Sequence, residues 1–191
     1  APLVRSGAGE AAVGVGNAPP GTGGELGQVW EQLHANDPRR IQASASGFGH
    51  SGPNSKDPAY DMVVQGMGGI MSITGSVGGE PVRVGMSIGD IGAGLYTAVA
   101  VNAAIVHRLK TGEATKVDIA MFDCQIALLE NAVMRYTVEG EIQGPLGARP
   151  PTIPPFQAFK TKTAPPSSPP ATATRSVQRS RALPRPSTRA T

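Results

Sequence analysis

The stretch IGDIGAGLYTAVAVNAAIVHRL (residues 88–109) is the longest helical pattern in the chain, and Thr111-Gly112 stops it. It is apolar on nearly every side, which predicts a buried helix. What flanks it decides the fold class. KVDIA (residues 116–120) alternates like a strand, and Met121 to Val138 reads as a second strong helix. Upstream, Ile41 to Ala45 reads as a strand and Tyr60 to Met71 as a helix, in spite of Gly66, Gly68 and Gly69, whose clustering predicts close packing against another backbone. Glu25 to Ala35 reads as a short helix with Leu26, Val29, Trp30 and Leu33 on one face, ended by Asn36-Asp37-Pro38. Strands joined through helices indicate an α/β domain.

Composition divides the 191 residues into three regions: a glycine-rich, weakly patterned segment over 1–24, a periodic core over 25–162, and a Pro/Ser/Thr/Ala/Arg-rich tail over 163–191. The tail has almost no large apolar side chain to offset its ordering entropy, so disorder is expected there. It also carries five arginines and no acid. Without them the net charge of +3 becomes −2. The tail lacks aromatics and any recognition motif, and no nucleic-acid partner is expected. The single cysteine, Cys124, excludes an intrachain disulfide and a cysteine-based zinc site, and a reducing, cytoplasmic location is the default. No charged stretch leads into an apolar signal-peptide core. The most apolar run, Ile91 to Val106, falls short of the roughly 20 residues a membrane span needs, so no membrane partner is expected.

Asp90 is the most informative acid. It lies where VGM (84–86) leads through Ser87-Ile88-Gly89 into the long helix. An aspartate there fits a helix N-cap, whose carboxylate accepts orphan backbone N–H groups. The same geometry serves chemistry: a helix N-terminus stabilises a carboxylate, and neighbouring glycines leave it reachable as a nucleophile. Those glycines could also present backbone N–H donors to a developing oxyanion.

The order Ser44-Ala45-Ser46-Gly47-Phe48-Gly49, Gly52-Pro53, Tyr60-Asp61, Gln65-Gly66 and Gly68-Gly69 resembles the class III CoA-transferases. The resemblance continues through Gly89-Asp90, Gly94-Leu95-Tyr96, Lys110-Thr111-Gly112, Val117-Asp118 and Met121-Phe122-Asp123, and ends near Pro155-Phe156-Gln157-Ala158-Phe159. It implies a Rossmann-like CoA-transferase domain, an interlocked homodimer, an acyl-CoA and a carboxylic acid as substrates, coenzyme A entering only as the acyl-CoA, and no metal or permanently bound cofactor. It places the family's catalytic aspartate on Asp90, which would form an anhydride with the acyl group and then a thioester with CoA. It aligns Asp57-Pro58-Ala59-Tyr60 with a CoA-contacting stretch, Asp61 with an acid beside the reaction centre, and Met121 with a methionine near the CoA thiol. Asn17 resembles the start of the family's Asn-Phe-x-Pro-Gly turn, without its phenylalanine. Each also has an ordinary role: Tyr60 as packing, Asp61 as a helix cap, Met121 and Cys124 as core.

Related α-methylacyl-CoA racemases carry a His-Asp pair where this chain has Tyr60-Asp61, because proton exchange at carbon needs a facing base and acid. Tyr60 therefore favours transfer. His34, His50 and His107 read as loop or surface residues. The chain departs from the family at Glu25, where a basic residue is usual, in the proline-rich 149–155 segment, and in its tail. Members are about twice this length, and the tail has the composition of a GC-rich gene read out of frame, which predicts a frameshift near codons 162–165 and another upstream of residue 17. A truncated remnant without a complete CoA site is the second reading, its uncovered apolar faces favouring aggregation.

Overall fold

Residues 41–46 run straight through the centre of the molecule, and their alternation of Ile41, Ala43 and small polar residues suits a strand covered on both sides. The computed structural model of the protein describes residues 12–17 and 30–148. Three parallel strands form one sheet in chain order: β1 (Val13–Asn17), β2 (Ile41–Ser46) and β3 (Lys116–Ala120). Val13 faces Ile41 and Asn17 faces Ala45; Gln42 faces Lys116 and Ser46 faces Ala120. Parallel strands need crossover connections. Helix α1 (Trp30–Asn36) lies between β1 and β2. Helix α2 (Asp61–Met67), a 3-10 turn (Met71–Ile73) and helix α3 (Ile88–Thr111) lie between β2 and β3. Helices α4 (Met121–Ala127) and α5 (Asn131–Glu139) follow. The α/β class and its parallel sheet are as expected.

The core sits between α3 and the sheet. Ile41, Ala43, Val117 and Ala104 are buried together, with Val13, Ala100, Val101 and Ile105 packed around them. Arg108, near the end of α3, donates from Nη1 to the carbonyls of Ala12 and Arg39 at 2.9 Å each. That ties the C-terminal end of α3 to the edge where β1 and β2 begin. From Arg108 back to Asp90 the helix rises about 27 Å, whereas a six-residue strand spans about 20 Å. Asp90 is thus carried to the edge where the strands end, the side on which open parallel sheets bind ligands.

Four differences from the sequence reading have physical causes. First, α2 stops at Met67 rather than Met71, because Gly68 caps it and Gly69 turns away at φ +87°. Second, the helix expected over 121–138 is broken. The turns tighten after α4, with the Leu129 N–H donating to Ile126, and Glu130 then adopts φ 44° before α5 starts. Third, α3 is not buried all round. It buries a face of small residues, Gly89, Gly92, Ala93, Thr97 and Ala104, and leaves Ile91, Leu95, Val99, Val106 and Leu109 exposed as one stripe. Its 24 residues are long and apolar enough to cross a membrane by length and composition, but the small-residue face packs on β2, β3 and α4. Fourth, β1 lies in the segment read as weakly patterned. The CoA-transferase core boundaries near residues 25 and 162 and the expected disordered tail fall outside the described residues.

Ile41 is fully buried, and Val99 is 68% exposed. Ile41→Ala is expected to lower unfolding free energy by about 3 kcal/mol, and Val99→Ala by no more than about 0.5 kcal/mol, read from urea titrations of the two variants beside the parent.

Candidate active site

The carboxyl ends of the strands gather most of the residues singled out in the sequence. Asn17 closes β1 and is exposed. Beyond β2, the loop over 47–60 carries Asp57, Pro58 and Ala59 into Tyr60, the N-cap of α2. A Cβ on Gly47 would collide with Ala59, so the glycine lets the two ends of that loop close on each other. Tyr60 is 76% exposed, which removes packing as its role. Met121 opens α4 directly after β3.

Asp90 is exposed in the first turn of α3. It is not the N-cap; Ser87 is, and Ser87 makes no side-chain capping bond. The cap comes from another element. Asp61, buried at the start of α2, accepts the Gly89 N–H on Oδ1 at 2.9 Å and a Gln65 Nε2 hydrogen on Oδ2 at 2.8 Å. Gly89 is irreplaceable in this arrangement: a Cβ there would lie 2.6 Å from a Val64 methyl, 3.2 Å from Asp61 Oδ1 and 3.4 Å from the Met121 sulfur. The glycine N–H expected to face an oxyanion is therefore already committed to Asp61. The structure brings Asp61, Gly89-Asp90 and Met121 together, with Tyr60 one residue from Asp61. Asn17 stands at the same sheet edge without a described contact to them.

A cavity of about 420 Å³ opens beside the end of β3, lined in part by Phe48, Asn54, Asp118, Phe122 and Asp123. Asp118 Oδ2 accepts the His50 N–H at 2.9 Å, which fixes the glycine loop, and the rings of Phe48 and Phe122 stand 5.8 Å apart. Two carboxylates in its wall make this cavity a poor receptacle for phosphate, and Asp90 is not in its lining. Among the described residues, no cluster of three or more His, Cys, Asp or Glu could hold a metal ion.

Gln65 belongs to the ordered series of family residues, but the sequence gives it no role. It lies one helical turn after Asp61, a spacing that puts the two side chains on one face. Its other partners, the Val84 N–H and Met86 carbonyl, lie in irregular chain where no periodicity points to them.

A family model described as CoA-transferase family III matches residues 4–168. The chain belongs to CoA-transferase family III. It is 38% identical over 137 residues to succinate–glutarate CoA-transferase of Agrobacterium fabrum, covering 72% of this chain and 34% of that protein. It is 39% identical over 150 residues to acetyl-CoA:oxalate CoA-transferase of Acetobacter aceti, covering 78% and 39%. A CAIB/BAIF family protein from Brucella suis superposes with a TM-score of 0.77 at 38% identity, over 83% of this chain and 42% of that one. The chain thus spans between a third and two fifths of the curated relatives it matches.

Cys124 is poorly placed to act as a nucleophile. It is buried on α4, and burial first, then the adjacent Asp123 carboxylate, push its thiol above the ordinary value. Folding therefore favours the protonated thiol. That contribution is full below the unfolded-state pKa and is lost as pH rises through the higher folded value. Alkylation by iodoacetamide at pH 8 should run about 100-fold slower in native protein than in urea, followed by intact mass. Gly89→Ala should cost about 1–3 kcal/mol of stability through overpacking against Val64, seen as a lower urea midpoint.

Proposed function

We infer that this chain carries the nucleophilic core of an enzyme that moves CoA between an acyl-CoA thioester and a carboxylic acid. The observation that carries the reading is the exposed Asp90 carboxylate in the first turn of a long helix whose Gly89 N–H is held by a second, buried aspartate. The positive end of the helix favours negative charge at Asp90 and at an acyl oxygen beside it. Asp90 is exposed among the described residues, so an acyl carbon can reach it.

The proposed sequence balances without ATP. An Asp90 oxygen attacks the thioester carbonyl, the C–S bond breaks, and CoA leaves as thiolate with Asp90 held in a mixed anhydride. The thiolate attacks the Asp90 carbonyl, releasing the donor acid and leaving an aspartyl-CoA thioester. The incoming carboxylate displaces CoA to form a second anhydride, and thiolate attack on the new acyl carbon frees Asp90. Each step exchanges one activated acyl link for another. Asn17, Asp57, Pro58, Ala59 and Tyr60, on the same edge of the sheet, are proposed to contact CoA, with Met121 beside its sulfur and Asp61 beneath the nucleophile.

The two relatives above are named for succinate, glutarate and oxalate, all dicarboxylates, which supports a dicarboxylic acid as acceptor. A homodimer and a cytoplasmic location belong to the same proposal. The exposed stripe of α3 supports burial against further protein, and a single buried thiol suits a reducing compartment.

The purified chain is to be incubated with succinyl-CoA, glutaryl-CoA and acetyl-CoA, trapped with hydroxylamine and read by peptide mass spectrometry. Modification confined to Asp90, and lost in Asp90→Ala, is the expected result. Folded protein that carries no adduct on Asp90 with any donor rejects the reading for this chain.

A further inference from the structure

Gln65 is completely buried in the side of α2 and uses its whole amide. Nε2 donates to Asp61 Oδ2 at 2.8 Å and to the Met86 carbonyl at 3.3 Å, and Oε1 accepts the Val84 N–H at 2.8 Å. Asp61 in turn accepts the Gly89 N–H. One amide and one carboxylate therefore hold three points, at 84, 86 and 89, along the chain that leads into Asp90. The Ile88 N–H donates back to Met86, which closes the turn between these points.

We propose that Asp61 and Gln65 act as a paired clamp that sets the position of the Asp90 carboxylate, Gln65 being a positioning residue that touches no substrate. This rests on Asp90 being the nucleophile, and it assigns Gln65 a role that burial alone does not. Segment 80–86 has no regular secondary structure and is largely exposed, so its own backbone cannot fix the entry to α3. The clamp supplies the missing acceptors and donors from a neighbouring helix. Its polarity is one-way. Asp61 only accepts toward Gln65, and Gln65 must then present Nε2 to Asp61 and Oε1 to Val84. Neither side chain can be exchanged alone without setting two buried donors or two buried acceptors against each other.

That directionality supplies the test. Asp61→Asn keeps an acceptor for the Gly89 N–H but points an N–H at Gln65 Nε2, and flipping the glutamine moves the same conflict to Val84. Gln65→Glu points a carboxylate at the Asp61 carboxylate. The double exchange, Asp61→Asn with Gln65→Glu, restores every bond except the one to Met86 and keeps the net charge. Two quantities are read in all four proteins: the rate of acyl transfer from succinyl-CoA to Asp90, and amide hydrogen exchange at Val84 and Gly89 by NMR.

Each single variant is expected to slow Asp90 acylation roughly 10- to 100-fold, the size of effect that a misplaced reacting group produces, and to lower protection at Val84, at Gly89 or at both as the two side chains are driven apart. The double variant is expected to run roughly tenfold faster than the slower single variant, as coupled pairs do, with protection regained. Unchanged protection in the single variants, or a double variant no better than they are, overturns the clamp. Should the parent itself form no adduct at Asp90, the transferase reading falls separately. The two amides then decide the clamp alone: protection lost in the single variants and regained in the double supports it, and any other pattern rejects it.

Discussion

The hydrogen bond from the Gly89 N–H to Asp61 Oδ1 joins residues 28 apart, and it fixes how α2 meets the start of α3. A helix start exposes N–H groups that need acceptors, and most helices find one in their own N-cap side chain. Ser87 does not provide it. The acceptor arrives from the neighbouring helix, and it can do so only because Gly89 has no side chain to hold Val64 and Asp61 away. The absent side chain, the buried carboxylate and the exposed Asp90 one residue on are thus parts of a single packing constraint.

Two aspartates flank the same peptide and live in opposite surroundings. Asp61 is buried with both oxygens engaged, which suits it to holding and not to attack. Asp90 is open to solvent. Their positions look alike, since each sits in the first turn of a helix. Depth separates them, and depth is a property of the assembled fold.

Local signals account for what the sequence made legible. The strand at Ile41, the start of α3 and its stop at Gly112, which adopts φ +81°, follow from periodicity and from glycine's tolerance of that angle. Elements defined by distant partners were not legible. VGVGN at 13–17 is too short and glycine-rich to announce a strand until Ile41 and its neighbours pair with it. The break at 128–130 interrupts a run whose apolar spacing continues undisturbed through Leu128 and Leu129. The exposed stripe of α3 was misjudged for a related reason: periodicity reports which positions are apolar, not what covers them. Asp90 stands out through its place at a helix start and through an ordered series of family residues. The acceptor of the Gly89 N–H does not, because no local rule links residue 61 to residue 89.

Arg108 has a consequence for how the chain assembles. Its guanidinium closes a contact with Ala12 across 96 residues and another with Arg39 across 69. Contacts of that span carry the largest loop-closure cost and form late. During synthesis, which proceeds from the N-terminus, β1 emerges long before the arginine that will anchor it. Until α3 is made and laid across the sheet, the Ala12 and Arg39 carbonyls at the starts of β1 and β2 lack this donor. The guanidinium is therefore a latch that shuts only once α3 is in place. A chain interrupted before residue 108 would keep β1 and β2 yet lack the side chain that joins their starts.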